Sequence, residues 1–146
     1  MNREPHTWKI EWNDRMSVGI PEIDEDHKRF ALLIGELNRA IADRMDLSEI
    51  KKRLQLILDD ANRHFEHEEK LFTQWKYPDA KNHADKHAQA IKALQAIMKK
   101  LISYDLQSEW IDAGLAVKDI LINHLLTEDM KYAEFYRNSR IAAGKQ

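Results

Sequence analysis

The sequence predicts an all-α fold: an up-down-up-down antiparallel four-helix bundle preceded by an N-terminal arm. Glycine and proline are scarce, at 4 and 3 of 146 residues, whereas a β-protein needs both at its many turns. Apolar residues recur every three or four positions along four long segments, as on the inward face of a helix. The segments between them are short, and short connections force consecutive helices to run antiparallel. We expect one domain over residues 1–146, with the arm at 1–20 and the bundle at 22–138.

Composition excludes several functions. The formal net charge is −2, so nothing favours binding to nucleic acid or to an anionic membrane surface. The absence of cysteine excludes disulfides, iron–sulfur clusters and thiol catalysis, and it fits a reducing cytosol. No signal peptide is visible, and no apolar run approaches the roughly 20 residues of a membrane-spanning helix. We therefore expect a cytoplasmic protein that does not insert into membranes.

The arm and the first helix are separated by Gly19 and Pro21, which mark a break in the chain. The first helix is expected at Ile23–Ala42. The arm is expected to pack on the bundle through three apolar side chains: Trp8, Trp12 and Met16. The inward face of the first helix is predicted to carry Ile23, His27, Ala31, Ile34, Asn38 and Ile41.

The second helix is expected at Leu47–Trp75, because Asp46 followed by Glu49 resembles a capping box. Its inward face should carry Leu54, Ile57, Ala61, His64, Glu68, Leu71 and Trp75. The sequence Tyr77–Pro78–Asp79 breaks the chain and starts the third helix. The inward face of the third helix should carry Ala80, His83, His87, Ala90, Ile91, Leu94, Ile97 and Leu101.

The fourth helix is expected at Glu109–Asn138, with Ser108 as its N-terminal cap. Its inward face should carry Ile111, Leu115, Ile120, Leu121, His124 and Tyr132.

Five histidines and two acids lie on these inward faces: His27, His64, Glu68, His83, His87, His124 and Asp129. His64 and Glu68 are four residues apart, as are His83 and His87, so each pair shares one face of its helix. A single histidine on an apolar face is more often an ordinary core residue. Five imidazoles and two acids buried together would be very costly without a cation. Imidazole and carboxylate without thiolate suit non-haem iron, so the pattern predicts a metal centre.

Seven ligands suit two ions with unequal coordination shells. If one ion takes three histidines and the other two, and both share the carboxylates and one oxygen bridge, the first ion is six-coordinate. The second ion is then five-coordinate and has an open position. A small ligand would bind at that position.

The second bridging acid is open between two residues. Asp129 is five residues after His124, about 140° around a regular helix, whereas Glu128 at four residues is better placed by spacing. A π-bulge would bring Asp129 into line. Neighbouring His67 and Glu69 are expected at the edge of the site, in a supporting contact or in solvent. His6 is expected on the surface.

The pattern resembles the hemerythrin family, and specifically its single-domain bacterial members. The resemblance covers nearly the whole chain and is carried by Val18–Gly19, Ile23–Asp24–Glu25–Asp26–His27, His64–Phe65, Glu68–Glu69, Tyr77–Pro78, His83, His87, the segment from His124 through Asp129, and Tyr132. The family has its acid five residues after the histidine, so the resemblance favours Asp129 over Glu128. Bacterial members are often monomers, and we expect a monomer here.

The resemblance implies a centre of two iron ions with an oxo or hydroxo bridge. His83, His87 and His124 would bind the coordinatively full iron, and His27 and His64 the iron with the open position. Glu68 and Asp129 would bridge both ions. O2 would bind reversibly at the open position as peroxide, after electron transfer from both irons, with a proton passing from the bridging hydroxide to the bound oxygen. Candidate residues for a dry wall around it are Phe30, Ala31, Phe65 and Leu121.

The expected function is reversible O2 binding for storage, transport or delivery, without enzymatic turnover. An oxygen-requiring enzyme is a candidate partner besides O2 itself. Carboxylate-rich di-iron oxidases use Glu-x-x-His pairs, and no histidine here has a glutamate three residues before it. Two alternatives stay open: a sensor of O2, nitric oxide or redox state, and a di-iron redox enzyme.

Overall fold

The chain folds as a bundle of four long helices, in a computed structural model that describes residues 10–144. The helices are α1 (Pro21–Ala42), α2 (Leu47–Trp75), α3 (Ala80–Lys100), α4 (Gln107–His124) and α5 (Met130–Gly144). A π-helical turn at Leu125–Asp129 joins α4 to α5, and the three run on as one fourth helix of the bundle. No strand occurs in residues 10–144. The expected positions of His6 and Trp8 lie outside the described residues.

The helices pack in the order of an up-down-up-down bundle. α1 lies against α2 and α4, and α3 lies against the same two helices. Short turns join α1 to α2 and α2 to α3, so these neighbours run antiparallel. The prediction of an all-α four-helix bundle is confirmed. Within residues 10–144, no helix combines the length and the apolar character needed to cross a membrane.

The described part of the arm is tied to the start of α1. Met16 is buried, as expected. Trp12 is partly buried, with the ammonium of Lys28 5.5 Å from its ring centre. The Val18 N–H donates to Asp24 at 2.9 Å. These contacts hold the arm against the end of the bundle that carries the first turn of α1.

Two helix starts differ from the sequence prediction. α1 begins at Pro21 itself, because proline lacks only an N–H that the first turn leaves unpaired. α4 begins at Gln107, so Ser108 lies in the first turn and is not the cap. The cap is made by Glu109, whose carboxylate accepts the N–H groups of Asp105 and Leu106 at 3.0 and 2.9 Å. Asp46 caps α2 as predicted, accepting the Glu49 N–H at 2.9 Å.

The predicted inward face of α4 is partly wrong. Ile111 and Leu115 are 42% and 40% exposed, and the buried residues in this part of the helix are Ala113, Gly114 and Val117. The reason is a close approach of α1. Asn38 donates its side-chain N–H to the Gly114 carbonyl at 3.2 Å, and a Cβ on Gly114 would overlap the Asn38 amide. Small residues on α4 therefore face α1, and its larger side chains turn outward.

The core has two apolar clusters with a polar layer between them. The larger fills the body of the bundle and includes Phe30, Phe65, Ala90 and Leu121. The smaller closes one end and contains Val18, Ile20, Ile23, Phe72, Tyr77 and Tyr132. Along every helix, the predicted metal ligands fall between residues of the two clusters. Apolar side chains thus lie on both sides of the polar layer.

Candidate metal centre

The polar layer contains all seven predicted ligands. α1 supplies His27, α2 supplies His64 and Glu68, α3 supplies His83 and His87, and the fourth helix supplies His124 and Asp129. None of these side chains is more than 8% exposed. The structure therefore brings together every residue that the sequence singled out for the site.

Three histidines gather on one side of the layer, which we call the three-histidine half. His83 Nε2 and His124 Nε2 each lie 3.1 Å from Asp129 Oδ1. His87 Nε2 lies 3.0 Å from Glu68 Oε1. Each of the three rings thus presents Nε2 to Asp129 Oδ1 or to Glu68 Oε1.

Two histidines gather on the other side, the two-histidine half. His27 Nε2 lies 3.2 Å from Asp129 Oδ2, and His64 Nε2 lies 3.1 Å from Glu68 Oε2. The two Nε2 atoms are 3.1 Å apart. Each carboxylate therefore gives one oxygen to each half, which is the geometry of a bridging ligand.

The spacing and the unpaired atoms of the layer fit metal ions. Two donors that each lie roughly 2.1 Å from one ion, at right angles, are about 3 Å apart. Within residues 10–144, the buried atoms without a hydrogen-bond partner include Glu68 Oε1, Asp129 Oδ1 and the Nε2 atoms of His83, His87 and His124. These atoms converge on one another, and leaving them unpaired would be costly. A cation bound among them would satisfy the group together.

The π-helical turn at Leu125–Asp129 decides which acid enters the layer. A π turn advances about five residues instead of 3.6, so Asp129 comes round to the face of His124. Asp129 is 2% exposed. The Glu128 carboxylate instead faces Lys131 at 3.3 Å. Regular helix spacing favours Glu128 as the second bridging acid, but the π turn places Asp129 in the layer instead.

Two further carboxylates contact the histidine rings from behind. Asp26 Oδ2 accepts from His64 Nδ1 at 2.8 Å, and Glu69 Oε2 accepts from His87 Nδ1 at 2.8 Å. The contact of Glu69 agrees with a supporting role. His67 lies at the edge, 3.5 Å from Asp26. Sequence reasoning missed Asp26, because a run of acids at the start of a helix is typical of a solvated first turn.

Tyr132 adds a hydrogen bond that the apolar pattern did not predict. Its side chain is fully buried, and its hydroxyl donates to Glu68 Oε2. Burial and the nearby carboxylates of Asp129 and Glu68 raise the pKa of Tyr132 well above its ordinary value. The phenol therefore stays protonated and acts as a donor that orients Glu68.

The histidines and carboxylates of the layer shift one another's pKa values. Burial alone would raise the pKa of Glu68, but the charge of His64 and hydrogen bonds from other histidines hold it well below its ordinary value. Burial alone would lower the pKa of His64, but Glu68 and the other carboxylates raise it to about 10. The pKa of His83 is likewise raised, against burial, to about 9. A metal ion that binds here would therefore displace protons from His64 and His83.

Two of the four residues expected to form a wall, Phe65 and Phe30, contact histidine rings of the layer. The Phe65 ring stacks on His87 with centroids 3.9 Å apart and planes 7° from parallel. The Phe30 ring meets His64 edge-on at 5.2 Å. Ala31 and Leu121 are buried, Leu121 within the larger apolar cluster. Aromatic rings thus cover histidines of both halves.

Comparison with known proteins agrees with this arrangement. Residues 18–136 match the family model of the hemerythrin HHE cation binding domain. A hemerythrin-like protein of Naegleria gruberi is 30% identical over 121 residues, covering 83% of this chain and 88% of its own. Bacteriohemerythrins of Stenotrophomonas maltophilia and Campylobacter jejuni are each 25% identical, covering 84% and 86% of this chain and 78% and 94% of their own. A buried metal-binding cluster of histidine, glutamate and aspartate in a four-helix bundle, matched over most of its length, places the chain in the hemerythrin family.

Proposed function

We propose that the protein binds two iron ions in the polar layer and binds O2 reversibly, for storage, transport or delivery. The observation that carries the proposal is the inequality of the two halves. Three histidines and two carboxylate oxygens face one half, whereas two histidines and the other two oxygens face the second. With the same bridges, the two-histidine half supplies one ligand fewer. A pair of iron ions would supply electrons and an open coordination position for O2.

The chain's own residues favour reversible binding over turnover. Phe30 and Phe65 cover histidines of the site, and the apolar clusters on both sides keep water and protons away. The Tyr132 hydroxyl donates to Glu68, so the phenolic proton is held in that hydrogen bond. We accordingly propose a binding protein and not an enzyme, with an oxygen-requiring enzyme as a candidate recipient of O2.

The test is an anaerobic optical titration of the iron-loaded, reduced protein with O2, followed by degassing. The proposal predicts an absorption band that appears with O2 and disappears on degassing, repeatedly and on the same sample. Immediate oxidation without a stable adduct would contradict a carrier and favour a sensor or redox enzyme. Failure to take up two iron ions per chain would contradict the di-iron centre itself.

A further inference from the structure

In each half of the metal centre, one histidine is hydrogen-bonded through Nδ1 to a carboxylate that is not a predicted ligand. Asp26 contacts His64 in the two-histidine half, and Glu69 contacts His87 in the three-histidine half, both at 2.8 Å. The side chain of Asp26 is 10% exposed, whereas that of Glu69 is 42% exposed. Water screens an exposed carboxylate and weakens its effect on a neighbouring ring. The two contacts are therefore alike in distance and unlike in strength.

Asp26 is itself held in place by arginines. Arg29 donates from Nη2 to Asp26 Oδ1 at 2.7 Å and from Nε to Asp60 Oδ1 at 3.0 Å. Arg63 lies 3.8 Å from Asp26 and 2.5 Å from Asp60. This network joins α1 to α2, the two helices that supply His27 and His64. It occupies one oxygen of Asp26 and leaves the other facing His64.

The contact fixes the orientation of the His64 ring. An ionised carboxylate only accepts hydrogen bonds, so His64 Nδ1 must carry the proton that Asp26 accepts. With Nδ1 as donor, Nε2 is the atom left to bind a cation, and it faces Glu68 Oε2 at 3.1 Å. A carboxylate behind a ligating imidazole fixes its tautomer and raises its basicity. His64 is thus oriented before any ion arrives.

The other histidine of this half lacks such support. His27 Nδ1 is buried and has no hydrogen-bond partner within residues 10–144. In a half with only two imidazoles, the one fixed ring determines more of the affinity than in the half with three. Asp26 is therefore placed to control the two-histidine half without touching the ion.

We propose that Asp26 is a positioning residue that makes the two-histidine half competent to bind its ion. This inference rests on the proposed function, in which both halves bind metal. Asp26 acts through His64, and the clamp from Arg29 keeps its carboxylate in position. The three-histidine half does not depend on it.

The experiment is an anaerobic cobalt(II) titration of the full chain, followed by the ligand-field absorption, which reports coordination at each half. Cobalt(II) binds sites of imidazole and carboxylate more strongly than iron(II) does. The test variant is Asp26→Asn. The matched variant is Glu69→Gln, which changes the carboxylate that contacts His87 in the three-histidine half. The control is Glu66→Gln, at an exposed position of α2. Circular dichroism checks that each variant is folded.

We expect the wild-type chain to bind two ions. Asp26→Asn should weaken the binding of the ion in the two-histidine half by about 10- to 100-fold and alter its absorption bands. The affinity and the bands of the ion in the three-histidine half should not change. Glu69→Gln should have a smaller effect, and Glu66→Gln none. If Asp26 had only a structural role, Asp26→Asn would lower the affinity for both ions together without changing the absorption bands.

The proposal is overturned if Asp26→Asn binds both ions with wild-type affinity, or if it lowers the affinity for both ions equally. It is also overturned if Asp26→Asn lowers the affinity no more than Glu69→Gln does. If Asp26→Asn does not fold, Arg29→Gln keeps the carboxylate and removes its clamp. The same ion must then weaken, and an unchanged affinity overturns the proposal. Fewer than two ions on the wild-type chain would overturn the proposed function, and this inference with it, before any variant is compared.

Discussion

The hydroxyl of Tyr132 should stabilise the metal-free protein measurably. Tyr132 is 0% exposed and donates to Glu68, which is also 0% exposed. The substitution Tyr132→Phe removes this hydroxyl and keeps the ring, together with its packing against Phe72 at a centroid distance of 5.0 Å. Its effect therefore reports one buried hydrogen bond and little else.

The magnitude follows from what remains around Glu68. A hydrogen bond to a charged group contributes about 1.5–3 kcal/mol, and water cannot replace it at a fully buried carboxylate. His64 Nε2 stays 3.1 Å from the same oxygen and offsets part of the loss. We expect the free energy of unfolding to fall by about 2 kcal/mol, which lowers Tm by roughly 4–8 °C.

The assay is urea denaturation of the metal-free protein, followed by circular dichroism. Tyr136→Phe is the matched control, because the Tyr136 hydroxyl accepts from Arg140 in an exposed contact, and its loss should change stability by less than about 0.5 kcal/mol. Bound metal should reduce the cost of Tyr132→Phe, since cations then share the charge of Glu68. Equal stability of the Tyr132 and Tyr136 variants would refute the reasoning.

Three further predictions concern other parts of the chain. Gly114→Ala should lower stability by about 1–3 kcal/mol through overlap with Asn38; a thermal melt at wild-type Tm would contradict the close approach of α1 and α4. Asp129→Asn should abolish two-ion binding in a metal titration while Glu128→Gln retains it, and the reverse would mean that the π turn does not select the ligand. His64 has a pKa raised from 6.5 to about 10, so its stabilising charge is fully present below pH 6.5 and is lost as pH rises through about 10. Urea denaturation at a series of pH values should show the metal-free protein losing stability across that window, and flat or rising stability would contradict the pairing.

The long helices and most inward faces were predictable because local pattern determines them. Apolar residues at helical spacing identified α1 and α2, and the cap at Asp46 is a local signal. The inward face of α4 was not predictable in the same way. Which residues turn inward there depends on how closely α1 approaches Gly114, and that distance is a property of the packed pair and not of either helix.

The gathering of the seven predicted ligands in one layer was predictable, because imidazoles and carboxylates on the inward faces of four helices are costly to bury apart from one another or from a cation. Regular spacing alone ranked Glu128 above Asp129, because it assumes 3.6 residues per turn and the chain departs from that value at Leu125–Asp129. Asp26 and the hydroxyl of Tyr132 were not predicted, for a different reason. Their partners lie on other helices, so no spacing within one helix reveals them.

The most direct test of the two-iron centre is a crystal structure of the iron-loaded protein, with anomalous diffraction measured at the iron edge. We expect two anomalous peaks about 3.5–4 Å apart. One should be bound by His83, His87 and His124, the other by His27 and His64, and Glu68 and Asp129 should bridge them. A single peak, or two peaks with equal numbers of histidines, would contradict the unequal halves on which the proposed O2 binding depends.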